Sequence, residues 1–310
     1  MWWSIILTVL GLCLFEIISS IDNAIINADV LATMGKRARR WFLFYGILFA
    51  VFIVRGFLPL LIVWVLNPGF SLVQVFTAAF SGDASISKSI QSTAPILFMG
   101  GGIFLVMLFL HWIFLEEKNY GLHIERKVEQ MGVWFYAVAA IMLTVVVWYS
   151  MQQSSYLAFG AVVGSTAFFI THGFKQNAES QEAKLVSGSS AMSDISKILY
   201  LEIIDMTFSI DGVLGAFAFT LVIPIILAGN GIGAFVVRQI TVSNVDKIKR
   251  YLYLKNGAMY SIFVLGIVMM IDGFGHHIPE WLSPVSTITI VAFFFIKSKI
   301  YIKNNPDFIG

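Results

Sequence analysis

Glu16-Ile17-Ile18-Ser19-Ser20-Ile21-Asp22-Asn23 and Asp205-Met206-Thr207-Phe208-Ser209-Ile210-Asp211-Gly212 share one pattern: an acid, five residues, then the end Ser-Ile-Asp. A second pair follows in the same order, Phe52-Ile53-Val54-Arg55 and Phe235-Val236-Val237-Arg238. All of these charges lie in long apolar stretches. An acid at the centre of a membrane span costs about 2.5–3.5 kcal/mol even on insertion scales, so such residues mark function. The recurrence of acids and arginine in one order predicts an internal repeat.

The rest of the 310 residues agree with a membrane setting. Hydrophobic residues make up 58% and charged ones only 12%, against roughly 25% charged in a soluble domain. That excludes a water-soluble globule and a disordered chain. A net charge of +2 with scattered basic residues excludes a nucleic-acid binder. Cys13 is the single cysteine, so the chain has no internal disulfide and no thiolate cluster. Met1-Trp2-Trp3 lacks a basic n-region, and the first apolar run reads as a retained helix.

About 20 apolar residues span a bilayer as a helix. Nine stretches qualify: 4–33, 41–66, 96–115, 132–150, 156–173, 199–220, 222–243, 256–272 and 283–299. The fold class is therefore all-α polytopic transmembrane. Seventeen of the 20 basic residues fall on alternate loops and the C-terminal tail, with Lys88 on the opposite side and Arg55 and Arg238 inside spans. The positive-inside rule then places the N-terminus outside and the C-terminus in the cytoplasm of a cell membrane. A first half, 1–173, holds five spans, with the first repeat over 4–115. The polar stretch 174–197 reads as a cytoplasmic linker, and a second half follows over 198–310. The outer stretch 67–95 is long and polar. A turn is expected near Thr220–Pro224.

The first span runs inward and the sixth outward, so the repeats have inverted topology. Transporters place their site between such repeats, near the bilayer midplane. Residues six apart differ by about 120° around an ideal helix, so Glu16 and Asp22 would not share a face, nor would Asp205 and Asp211. Breaks at Ser19-Ser20 and Asp211-Gly212 would let both acids of each helix reach one cavity. With all acids ionised, Arg55 and Arg238 neutralise two of Glu16, Asp22, Glu202, Asp205 and Asp211. The remainder must protonate or bind a cation. Oxygen ligands, with no thiolate or histidine cluster, suit Mn, Mg or Ca rather than Cu or Zn. Asn23 adds a neutral oxygen, and Asn27 and Asp29 lie further along the same helix. Arg55 is expected to pair or gate. Glu202 stays open between ligation and an interfacial place, and Arg238 between pairing and snorkelling. His111 and His172 are expected to be structural. Gly100-Gly101-Gly102, and Gly229 with Gly233, are expected to allow close helix approach.

Glu16-x5-Asp22-Asn23-Ala24, Glu202-Ile203-Ile204-Asp205-x5-Asp211-Gly212-Val213-Leu214-Gly215-Ala216-Phe217-Ala218 and Gly231-Ile232-Gly233-Ala234-x3-Arg238-x2-Thr241 resemble the TerC family of integral membrane proteins, in its YkoY-like branch. That family is named for tellurium resistance and grouped with LysE-type exporters, and members are implicated in manganese efflux. The resemblance implies a divalent-cation exporter, Mn2+ first and Ca2+ as the alternative ion. It implies metal-site roles for Glu16, Asp22, Asn23, Asp205 and Asp211. Gly212 stands where the first copy has Asn23, so the site need not be symmetric. The partners expected are the bilayer and the transported ion, with no permanently bound cofactor and no nucleic acid. An intramembrane aspartyl protease is not expected, because Ile21 and Ile210 precede the aspartates where those enzymes resemble Tyr-Asp and Gly-x-Gly-Asp. The remaining alternative is a non-transporting membrane scaffold or assembly factor of the TerC type.

Overall fold

The computed structural model describes residues 2–46, 49, 55–81, 84–118, 121–186, 192–243 and 250–305. The side chains of Asp22 and Arg238 lie outside what is described, as do residues 52–54 of the first Phe-x-x-Arg string.

Thirteen α-helices follow in order. They are α1 Trp2–Ser19, α2 Ile21–Ala32, α3 Lys36–Trp41, α4 Arg55–Leu66, α5 Leu72–Ser81, α6 Ala84–Leu115 and α7 His123–Glu129. After them come α8 Phe135–Gln153, α9 Ser155–Val186, α10 Asp194–Ala216, α11 Ile223–Ser243, α12 Leu254–Gly273 and α13 Leu282–Asn304. A π-helical turn, Phe42–Gly46, follows α3. Among the described residues there is no strand.

Among the described residues, six stretches are long and apolar enough to cross a bilayer: Trp2–Ser19, Gln91–Leu115, Gly132–Gln153, Ser155–Asn177, Leu254–Gly273 and Leu282–Asn304. Two shorter apolar helices, Arg55–Leu66 and Ile223–Val237, accompany them. Large apolar side chains face outward along α8 and α9, with Tyr136, Ile141, Trp148, Tyr156 and Phe159 all exposed. A soluble protein rarely presents so wide an apolar surface. The molecule is an all-helical polytopic membrane protein.

Two of the nine expected spans take a different form. The first divides at Ser20 into α1 and α2. The 199–220 stretch falls on α10, whose four acids and Lys197 keep it out of the apolar set. Of the 41–66 stretch, the described residues form the π turn Phe42–Gly46 and, from Arg55, α4, with residues 47, 48 and 50–54 outside what is described. The connection Phe217–Val222 lies close to the expected turn. The 174–197 stretch is not a loop at its start, because α9 continues to Val186. Lys175, Gln176, Ala178 and Glu179 are good helix formers, and an existing helix propagates through them cheaply. The stretch 67–95 likewise contains α5 and the start of α6.

Glycine seams set the packing. A Cβ built on Gly102 would lie 2.8 Å from the Gly266 carbonyl, and one on Gly266 would lie 3.0 Å from that of Gly102. This reciprocal seam joins α6 to α12. Between α6 and α9, a Cβ on Gly100 would lie 3.0 Å from the Gly160 carbonyl and one on Gly160 would lie 2.8 Å from the Ile96 carbonyl. On α11, a Cβ on Gly233 would meet Glu16 Cβ at 2.6 Å and the Cys13 carbonyl at 2.8 Å. The expected roles of Gly100–Gly102 and of Gly229 with Gly233 hold for that reason. Met99, Ile103, Leu105 and Met107 of α6 fill the main core.

Candidate functional site: a polar layer between α1–α2 and α10

Glu16 ends the apolar face of α1 and is 1% exposed. Its Oε1 accepts from Ser20 Oγ at 2.6 Å and pairs with Arg55 Nη2 at 2.7 Å. Arg55, at the start of α4, also donates Nη2–H to Ser20 Oγ at 3.3 Å. Ser20 thus links acid and base. Its backbone, at φ −91° and ψ 2°, interrupts the helix assignment between α1 and α2. The interruption is slight, since Ser20 N still bonds the Glu16 carbonyl at 3.1 Å and Ala24 N bonds the Ser20 carbonyl at 2.9 Å. The first expected break therefore exists as one residue.

The second does not. Helix α10 runs unbroken through Asp211 and Gly212 to Ala216. Gly212 serves close approach instead: a Cβ there would lie 3.2 Å from Glu16 Oε2. Packing against α1 outweighs the roughly 1 kcal/mol that a helical glycine costs. With α10 continuous, Asp205 and Asp211 keep their ~120° separation and face different neighbours.

Asp205 faces α2. Its Oδ1 accepts hydrogen bonds from Asn23 Nδ2 and, at 3.2 Å, from Asn27 Nδ2. Asn23 and Asn27 are four apart and share one helix face. They are 3% and 8% exposed. Both carbonyl oxygens, Asn23 Oδ1 and Asn27 Oδ1, are buried with no hydrogen-bond partner among the described residues. Buried polar atoms are seldom left so, and each asks for an explanation. The Asp205 charge is also felt at Glu16.

Asp211 does not join this layer. It lines a small cavity with Phe104, Leu108, Phe168, Thr171, His172, Lys175 and Thr207, between α6, α9 and α10. Its Oδ1 accepts from Gly212 N at 3.2 Å. His111 and His172 lie beside that cavity with ring centroids 3.8 Å apart. Glu202 lies against the π turn, where a Cβ on Gly46 would meet its Oε1 at 2.5 Å.

The sequence placed Glu16, Asn23 and Asp205 as site residues, and the fold brings them to one interface. Arg55 pairs as expected. Asn27 was noted only as lying further along the helix, and Ser20 only as a break point. The i, i+4 spacing of the two asparagines was the available signal. Among the described residues, no group of three or more His, Cys, Asp or Glu side chains is placed to hold a metal ion. The local donors are instead one carboxylate and two amides.

No curated protein and no solved structure matches the chain. A family model described as "Protein of unknown function (DUF475)" matches it from residue 21 to residue 305. That match takes in α2, α4 and α10, and so Asn23, Asn27, Arg55 and Asp205. The chain belongs to the DUF475 family.

Proposed function

We propose that the chain is a secondary transporter that exports a divalent cation, Mn2+ first, across a cell membrane. One observation carries the reading. Two buried asparagine amides converge on a single Asp205 oxygen while their own carbonyl oxygens are left without partners. Amide orientation follows the local hydrogen-bond network. Turning both amides end for end would aim two oxygens at Asp205, giving three hard oxygen donors in a buried layer. That set suits Mn, Mg or Ca. Glu16, held by Arg55 and Ser20, sits beside it as a second acid. Asp211, though expected at the metal site, belongs to a separate polar cavity in this reading.

The contact pattern also supports inverted repeats. Glu16 corresponds to Asp205, and Asn23 to Gly212, at one constant offset. A pseudo-two-fold axis would turn a Glu16–Gly212 contact into an Asp205–Asn23 contact. Both contacts occur. The nine-span topology, with the basic ends of α2 and α10 in the cytoplasm, follows from the distribution of lysine and arginine. The α1–α2 pair and α10 can lie in the bilayer despite their acids, because Glu16 faces Arg55 and Asp205 faces two asparagine amides rather than lipid.

The test is metal flux into vesicles reconstituted with the full chain, across Mn2+, Ca2+, Mg2+ and Zn2+. Asp205→Asn and Asn27→Leu should each lower Mn2+ flux at least roughly tenfold, the loss of about 1.4 kcal/mol of ion stabilisation, with the folded yield unchanged. Wild-type flux at the level of empty vesicles would refute transport. It would favour the scaffold reading, which the lack of a three-carboxylate group among the described residues also favours.

A further inference from the structure

We infer that the described conformation is closed toward the basic end of the molecule, and that α2 and α10 form the gate: an apolar plug capped by a polar latch. The inference rests on the transport reading for its purpose but on separate contacts for its geometry.

The two helices pair in opposite directions. Asn27 meets Asp205, Thr33 meets Lys197, and Gly35 meets Asp194. Asn27 and Thr33 are six residues apart, which is about 9 Å along a helix. A small core of its own packs around that interval: Val30 and Leu31 inside it, with Met34, Phe42 of the π turn and Leu201 of α10. Val30 and Leu201 are completely buried. Leu31 is one turn beyond Asn27, and Leu201 one turn beyond Asp205. The plug therefore sits directly against the polar layer. It is a cluster distinct from the main core that holds α6, α9 and α12 together. A separate cluster can come apart without dismantling the rest of the fold.

The latch lies past the plug. Lys197 Nζ donates to the Thr33 carbonyl at 3.1 Å and to Thr33 Oγ1 at 3.0 Å. Gly35 N donates to Asp194 Oδ2 at 3.2 Å. All three bonds are exposed to solvent. Water competes for exposed bonds, so they hold the ends in register at small net cost to open. Just beyond them stand Lys36, Arg37, Arg39 and Arg40 on α3. An ion bound at Asp205 would have the packed plug between it and this end. Opening requires α2 and α10 to part at Leu31 and Leu201. The break at Ser20 supplies a place for α2 to swing from.

The experiment uses the full chain in membrane vesicles with the basic side outward and Cys13→Ser as background. Asn27→Cys reports access through labelling by a membrane-impermeant maleimide. A Cβ on Gly35 would lie 2.9 Å from Asp194 Oδ2, so Gly35→Cys with Asp194→Cys can form a disulfide across the latch. The disulfide should abolish labelling, and reduction should restore it. Leu201→Ala, which empties part of the plug, should speed labelling by roughly tenfold or more. Lys197→Ala, which leaves the plug intact, should speed it by a few fold. A labelling rate indifferent to both the disulfide and Leu201→Ala would overturn the gate. Gated labelling of the Asn27→Cys protein, with no metal flux in vesicles that carry the wild-type chain, would uphold the gate and refute the transport reading instead.

Discussion

Removing one member of the Glu16–Arg55 pair should cost far more than removing both. The pair is 2.7 Å apart, with side chains 1% and 7% exposed. Arg55→Met would leave the Glu16 carboxylate buried with one remaining donor, Ser20 Oγ at 2.6 Å. Breaking a buried ion pair from one side costs about 3–5 kcal/mol, because the surviving charge keeps its desolvation penalty without compensation. Glu16→Gln strands the guanidinium in the same way, again at about 3–5 kcal/mol. The double variant removes both charges and keeps similar volumes, and such replacements are often nearly neutral. The sum of the two single losses should therefore exceed the double loss by several kcal/mol, at least about 2. The assay is reversible unfolding in mixed micelles, titrated with sodium dodecyl sulfate and followed by tryptophan fluorescence for the four proteins of the cycle. Additivity of the single effects to within about 0.5 kcal/mol would show the two side chains to be energetically independent. That result would refute the assignment of Arg55 as the counter-ion of Glu16.

Two further outcomes can be measured in the same way. Gly233→Val should destabilise by about 1–3 kcal/mol through overpacking against Glu16 Cβ and the Cys13 carbonyl, whereas Gly173→Ala, inside α9 with nothing within 4 Å of a built Cβ, should be neutral or stabilise by up to about 1 kcal/mol; equal losses would remove the α1–α11 seam. Burial holds the Lys118 ammonium below the usual lysine range, although Glu116 opposes the shift, so the unfolded chain binds the extra proton between that lowered value and 10.5, and stability should rise with pH across this window in the wild type relative to Lys118→Met; parallel pH curves for the two proteins would refute it.

Much of the architecture was legible in residue types alone. Apolar length sets the long helices, because a bilayer or a membrane-sized core demands about 20 such residues. The rarity of buried charge singled out Glu16, Asp205 and Arg55 before any contact was known, since charge in that setting is too costly to be incidental. Glycines at spacing four announced close helix approach, because a missing Cβ is a local property that a neighbour can use. The polar run from Lys175 reads as a linker in sequence, and its first part, to Val186, is helical. Polarity there marked exposure to water, and a helix can be exposed over its whole circumference once a preceding span has nucleated it.

What the sequence determined by itself is which residues bear the costly charges and their angular phase on each helix. Asp205 and Asp211 are six residues apart, so on an unbroken helix they point to different neighbours. Only the tertiary structure decided that α10 is unbroken. A glycine after an aspartate can end a helix or admit a close partner, and its own preferences do not choose between them. Glu16 lies over Gly212, and that contact selects the continuous helix. The same pairing of α10 with α2 brings Asn23 and Asn27 onto Asp205 and leaves Asp211 with His172 and Lys175. Partnership across helices depends on how two surfaces dock, a property of neither helix alone.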